Sequence, residues 1–75
     1  MATLSGTAVN ADGSKIDGTG TVSTSWNSNK AYPKRGMFTL DLGSNPKRSI
    51  TVYLDGKQAA SVYVDGHVTV HLRRR

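Results

Sequence analysis

The chain has 75 residues and no cysteine, so it has room for one small domain without a disulfide or a thiolate metal site. Ten Lys and Arg residues against five Asp residues give a net charge of +5, which favours anionic partners over cationic ones. No apolar run approaches the roughly 18 residues of a membrane span, and the N-terminal residues lack a signal-peptide pattern. We therefore expect no membrane insertion.

The residue types favour strands over helices. Thr, Ser and Val are frequent, Glu is absent, and eight glycines are spread along the chain. Four of the five aspartates are followed by glycine, a dipeptide typical of β-turns. The chain is therefore predicted to be one all-β domain over residues 1–75, with a basic C-terminal tail at 73–75.

The first half of the chain predicts three strands separated by turn signals. The first strand covers Thr3 to Val9, the second Thr19 to Trp26, and the third Met37 to Leu42. The stretch from Asn27 to Arg35, which contains Pro33, is predicted to be a polar loop between the second and third strands.

The last third of the chain predicts three more strands. In segments 50–54, 60–64 and 68–72, apolar residues alternate with Thr, Tyr, Ser and His, and an Asp-Gly turn separates each segment from the next. Three strands joined by two such turns form a β-meander.

The apolar pattern also predicts the register of these hairpins. Side chains alternate between the two faces of a sheet, so apolar residues match across the second turn only if Val64 pairs with Val68 and Val62 with Val70. That pairing requires a three-residue loop with a bulge, and the same reasoning applies to the turn at Asp55.

The predicted fold is a small antiparallel β-sandwich of six strands, with a small open β-barrel as the alternative. The inward-facing apolar positions of the six strands define the expected core. This core consists of Leu4, Ala8, Ile16, Val22, Phe38, Leu40, Leu42, Ile50, Val52, Leu54, Ala60, Val62, Val64, Val68, Val70 and Leu72.

Three motifs resemble those of a known family. Residues 4–8 read apolar-x-Gly-x-apolar and lead through an Asp-Gly turn to a strand entered at Gly18, residues 36–42 read Gly-x-Phe-x-Leu-x-Leu, and residues 50–56 continue the pattern. In these features the chain resembles carboxypeptidase regulatory-like domains, which are relatives of the transthyretin-like β-sandwich. The resemblance implies an accessory or adhesive module without catalytic residues.

The sequence predicts no enzyme and no cofactor. His67 and His71, placed on one strand, lie about 13 Å apart, which is too far to share a zinc ion. Ser61 is predicted opposite His71, but no acid or oxyanion loop accompanies the pair. No phosphate loop, dinucleotide motif or EF-hand is present in the sequence. We therefore predict no catalytic, cofactor-binding or metal-binding residue.

The basic residues predict a charged end. If consecutive strands alternate in direction, one end collects seven cations against Asp55 alone, a net charge of +6. The opposite end, with three cations and four aspartates, would carry −1. Aromatic rings among cations suit single-stranded nucleic acid or another polyanion. The predicted polyanion-binding residues are Trp26, Lys30, Tyr32, Lys34, Arg35, Lys57, Arg73, Arg74 and Arg75. The cations and aspartates predicted at the opposite end are Lys15, Lys47, Arg48, Asp12, Asp17, Asp41 and Asp65.

A second candidate surface is the outward face of the predicted meander, which carries Tyr53, Tyr63 and His71. Such a face suits a protein or glycan partner. Two functions therefore stay open. The leading prediction is a non-catalytic binding or structural module with a protein or glycan partner, and the alternative is a module that binds nucleic acid or another polyanion at the basic end.

Overall fold

The computed structural model describes residues 2–74, which form seven β-strands and no helix. The all-β prediction is confirmed. The additional strand, β3, lies within the segment 27–35 that was predicted to be a loop. The strands are β1 (Ala2–Val9), β2 (Val22–Thr24), β3 (Lys30–Ala31), β4 (Met37–Gly43), β5 (Arg48–Leu54), β6 (Lys57–Val64) and β7 (His67–Arg73).

The strands form a sandwich of two sheets. The three-stranded sheet has the order β4-β1-β7, and the four-stranded sheet has the order β3-β2-β5-β6. All neighbouring strands run antiparallel except β1 and β7, which are parallel. The prediction of a purely antiparallel sandwich was therefore wrong at this pair, because β1 and β7 are neighbours that run in the same direction.

The predicted meander is wrong at its second turn. After β6 the chain crosses to the other sheet, so β7 pairs with β1 instead of with β6. Val62 and Val70, predicted to be partners, lie opposite Ile50 and Gly6. The alternation of apolar and polar residues shows which side chains face the core. It does not show to which of the two sheets a strand belongs, because a strand in either sheet has the same alternating pattern.

The first hairpin, between β5 and β6, forms as predicted, but its bulge lies elsewhere. Asp55 and Gly56 have φ angles of 57° and 78°, the positive values that a two-residue type I′ turn requires. The extra residue is Ala59, which has no partner on β5 and lies between the pairs made by Gln58 and Ala60. The bulge thus restores the predicted apolar register two residues into the strand.

The core lies between the two sheets and closely follows the predicted one. Of the 16 predicted core residues, 13 are buried, and Ala60, Val62 and Val68 are half-buried. These three lie on β6 and β7, which are edge strands and lack a neighbour on one side. Ala2 and Ala31 are buried residues that the alternation did not predict.

Candidate functional site

Strand direction determines which loops share an end of the sandwich. The end of β1 lies beside the start of β4 and the end of β7, because Thr7 pairs with both Met37 and His71. The turn after β5 lies at the same end, because Arg74, which follows β7, forms an ion pair with Asp55. We call this end the basic end. It comprises residues 10–21, 32–36, 55–58 and 73–74.

The basic end carries a surplus of positive charge. Within residues 2–74 it holds six cations and three carboxylates, a net charge of +3, whereas the opposite end is neutral. The asymmetry has the predicted direction, and it is smaller than the +5 that the prediction gives when Arg75, which lies outside the described residues, is left out. The charged residues of the basic end are Lys15, Lys34, Arg35, Lys57, Arg73, Arg74, Asp12, Asp17 and Asp55. Those of the opposite end are Lys47, Arg48, Asp41 and Asp65.

The difference in charge has a topological cause. Consecutive strands alternate in direction, so one additional strand moves every earlier connection to the other end. The short strand β3 has this effect, and it brings Lys15, Asp12 and Asp17 to the basic end, where they were not predicted. Lys30, on β3 itself, pairs with Ser23 and lies between the two ends.

Trp26 lies at the opposite end, so the prediction that it shares a surface with Tyr32 is wrong. Its indole Nε1 donates a hydrogen bond of 3.1 Å to the carbonyl of Leu42, next to Gly43 at the end of β4. Asn27 Nδ2 donates to the same carbonyl at 3.2 Å. The half-buried ring packs against the core and attaches the loop after β2 to β4.

A tight turn projects two cations at the basic end. Lys34 and Met37 exchange backbone hydrogen bonds of 2.8 and 3.0 Å. Arg35 and Gly36, between them, have φ angles of 56° and 76°, again the values of a type I′ turn. Arg35 is an unfavourable residue for a positive φ, so the surrounding hydrogen bonds must stabilise this conformation.

Exposed apolar side chains flank this turn. Tyr32 is 68% exposed and Met37 is 62% exposed, while Pro33 is buried. The carbonyl of Pro33 accepts a hydrogen bond of 3.0 Å from the amide of Gly18, which fixes the backbone next to Tyr32. An exposed aromatic ring thus lies on a well-anchored segment of the basic end.

One cation of the basic end is neutralised within the fold. Arg74 Nε donates to Asp55 Oδ2 at 2.6 Å, and Arg74 Nη1 donates to Asn10 Oδ1 at 2.9 Å. Asp55 Oδ1 also accepts from the amide of Thr21 at 3.2 Å. Arg74 therefore connects the end of β7 to the β5–β6 turn and to the loop after β1. The predicted tail does not begin at 73, since Arg73 ends β7, and Arg75 lies outside the described residues.

The other five cations make no ion pair with any carboxylate of residues 2–74: Lys15, Lys34, Arg35, Lys57 and Arg73. Asp12, in the same region, binds its own turn instead. Its carboxylate accepts hydrogen bonds from the Ser14 hydroxyl at 2.7 Å and the Ser14 amide at 2.9 Å, and these bonds lower the pKa of Asp12. The charge of Arg73 makes a smaller contribution to the lowered pKa of Asp12, although the two side chains form no ion pair. None of the five cations is therefore held in an ion pair among the described residues.

The predicted outward face does not form one surface. Tyr53 and Tyr63 lie on the four-stranded sheet, whereas His71 lies on the three-stranded sheet. His71 Nδ1 is hydrogen-bonded to Thr7 Oγ1 at 2.8 Å, and Ser61, predicted opposite His71, pairs with Thr51. This correction follows from the crossing between β6 and β7.

Neither a metal cluster nor a membrane-spanning helix is found in the part of the chain that the structure describes. Residues 2–74 contain no group of three or more His, Asp or Glu side chains positioned to hold a metal ion. No helix in that range is long and apolar enough to cross a membrane. Comparisons with protein-family models, curated proteins and solved structures gave no match. The resemblance to carboxypeptidase regulatory-like domains therefore stays a prediction.

Proposed function

We propose that this chain is a non-catalytic binding module whose basic end binds a polyanion, that is, a polymer with closely spaced phosphate or sulfate groups. The observation that carries the proposal is the clustering of five cations without an ion-pair partner among residues 2–74, at one end of a sandwich whose other end is neutral. The binding free energy would come mainly from the release of counterions when these cations meet the polymer.

The number of cations sets the expected salt dependence. For a single-stranded polyanion, the logarithm of the affinity falls with the logarithm of salt concentration with a slope of about −0.7 per neutralised charge. Five contacts therefore give a slope of up to about −3.5, or roughly a hundredfold loss of affinity between 50 and 200 mM salt. A partner bound through apolar or neutral polar contacts would show almost no such dependence.

A protein or neutral-glycan partner has less support from the geometry. The candidate surface for such a partner was a face with Tyr53, Tyr63 and His71, and these residues are divided between two sheets. The resemblance to carboxypeptidase regulatory-like domains favours a binding module of some kind, and the basic end supplies the chemistry for an anionic partner.

The test is a pair of charge-reversal variants with equal net charge. Lys57→Glu with Arg73→Glu changes the basic end, and Lys47→Glu with Arg48→Glu changes the opposite end. Binding to a labelled oligonucleotide and to a sulfated oligosaccharide is measured by fluorescence anisotropy at two salt concentrations. Circular dichroism confirms that both variants fold.

We expect the basic-end variant to bind about a hundredfold more weakly and the opposite-end variant to stay within about threefold of the original chain, as position-specific contacts require. Equal losses in both variants would mean that only net charge matters and would contradict the proposal. Absence of binding to either polymer at low salt would also contradict it.

A further inference from the structure

The Tyr32 side chain is exposed and contributes little to the core. Its side chain is 68% exposed, although its neighbours Ala31 and Pro33 are both buried. Ala31 pairs with Val22 in the four-stranded sheet, and Pro33 accepts a backbone hydrogen bond from Gly18. The backbone on both sides of the ring is therefore held in place, and binding to the ring would cost little ordering of the chain.

Two cations come shortly after Tyr32 in the chain. Lys34 and Arg35 follow it at the tip of the type I′ turn, and neither makes an ion pair within the described residues. Cations alone attract any polyanion, whether nucleic acid or sulfated glycan. An exposed aromatic ring adds a surface on which a planar base can stack, which contributes about 1–3 kcal/mol per base.

The faces of the bases are accessible only in a single strand. In a duplex, each internal base is covered on both faces by its neighbours, so Tyr32 could stack only after the duplex opened. The basic end is also small, since the two shorter dimensions of the molecule are 18 Å. At a rise of about 3.4 Å per nucleotide in a stacked strand, and more in an extended one, this width accommodates a contact of at most about five nucleotides.

Because this exposed ring lies at the basic end and is followed in the chain by two unpaired cations, we infer that the polyanion is a single-stranded nucleic acid and that Tyr32 stacks on one of its bases. This inference rests on the function proposed for the basic end. It specifies single-stranded nucleic acid as the polymer and Tyr32 as the residue that favours it over other polyanions. Lys34 and Arg35 bind the phosphates on either side of the stacked base.

The experiment compares four probes: an unstructured eight-nucleotide single strand, a blunt-ended duplex without a loop, a sulfated oligosaccharide and vesicles containing phosphatidylserine. The variants are Tyr32→Ser, Tyr32→Phe and the matched control Tyr63→Ser. Tyr63 is 60% exposed, similar to Tyr32, but it lies on β6 opposite Ser49, near the neutral end. All affinities are measured at one low salt concentration.

We expect the original chain to prefer the single strand over the duplex, and Tyr32→Ser to lose about 5- to 150-fold in affinity for the single strand alone. Tyr32→Phe should keep the affinity, because it keeps the aromatic face, and Tyr63→Ser should leave it unchanged.

Two groups of outcomes separate this inference from the proposed function. If Tyr32→Ser leaves the affinity for the single strand unchanged, or lowers the affinity for the sulfated oligosaccharide by the same factor, the stacking inference is overturned. The proposed polyanion binding then still stands. Binding to vesicles or duplex in preference to the single strand overturns the stacking inference in the same way. If none of the four probes binds, the proposed function fails, and this inference fails with it.

Discussion

The two ends of the sandwich are built from similar turns and loops, but different side-chain interactions hold these together. At the opposite end, Asn45 bridges the β6–β7 turn: its Nδ2 donates to Asp65 Oδ1 at 2.7 Å, and its Oδ1 accepts from the amide of Gly66 at 2.9 Å. The indole of Trp26 donates to the carbonyl of Leu42. Neutral donors thus make the long-range contacts of this end.

The basic end, in contrast, has an ion pair among its long-range contacts and keeps five further cations. Arg74 and Asp55 connect the two sheets there, and no second ion pair is present within residues 2–74. Like charges gathered at one end repel each other and oppose folding. The opposite end is closed without an ion pair among the described residues, so closing the sandwich does not by itself require the surplus charge.

The largest expected effect on stability comes from breaking the closure of the basic end. A Cβ on Gly20 would collide with the Arg74 guanidinium and come within 3.0 Å of Asp55 Oδ1, and the φ of Gly20 is +85°. Gly20→Ala should therefore lower the free energy of unfolding by about 2–3 kcal/mol, from about 1–2 kcal/mol of backbone strain plus about 1 kcal/mol for displacement of the ion pair.

Gly18→Ala is the matched control for this substitution. Gly18 has a φ of +76°, but its Cβ would have no atom within 4 Å, so only the strain of about 1–2 kcal/mol remains. Denaturant unfolding of both variants measures the difference. Equal losses would mean that the Arg74–Asp55 contact does not stabilise the basic end.

A smaller effect distinguishes the two ends by their response to salt. Arg74→Gln removes the ion pair, and Trp26→Phe removes the indole donor at the opposite end. The ion-pair side chains are about one-third exposed, at 29% and 34%, so we expect Arg74→Gln to cost about 1 kcal/mol.

Salt should weaken only one of these costs. The Arg74→Gln cost should shrink in about 0.5 M salt because screening weakens the ion pair in the original chain, whereas the Trp26→Phe cost should persist. Unfolding curves at low and high salt test the comparison. A Trp26→Phe cost that vanished in salt, or an Arg74→Gln cost that did not change, would contradict this description of the two ends.

The smallest expected effect is a pH dependence at the basic end. Hydrogen bonds from the Ser14 hydroxyl and amide hold the pKa of Asp12 below its ordinary value of 3.8. The ionised form is thus favoured in the folded state. The resulting stability is fully present above pH 3.8 and is lost as the pH falls through the lowered pKa.

Asp12→Asn should therefore show a shallower loss of stability between pH 5 and pH 2 than the original chain, and Ser14→Ala should fall between the two. Thermal unfolding across this pH range provides the measurement. Parallel curves for the three proteins would show that the turn makes no contribution to acid unfolding.

Much of the fold could be predicted from the sequence, because a strand with one buried face has an apolar residue at every second position. That period located the long strands and 13 buried core residues. The period could not reveal β3, because a strand of two residues is too short to show it. Without β3, the prediction placed Lys15 at the opposite end and Trp26 at the basic end, and the structure reverses both.

The two Asp-Gly turns show a second limit. Asp55-Gly56 forms a hairpin and Asp65-Gly66 crosses between sheets, although the residues before them, 52–54 and 62–64, are nearly identical. Asn45, about 20 residues earlier, hydrogen-bonds both residues of the crossing turn. Long-range contacts of this kind determine the path of the chain, and local sequence does not display them. The same limit hid the pairing of Arg74 with Asp55.

The position of the ligand tests the account most directly. The ¹⁵N-labelled chain is titrated with a six-nucleotide single strand, and the shifts of the backbone amides and of the Trp26 indole are followed by NMR. We expect the changes to fall within the basic end, residues 10–21, 32–36, 55–58 and 73–74, with the Trp26 indole unchanged. Changes concentrated at residues 41–48 and 64–67 and at the Trp26 indole would place the binding surface at the neutral end and contradict the account.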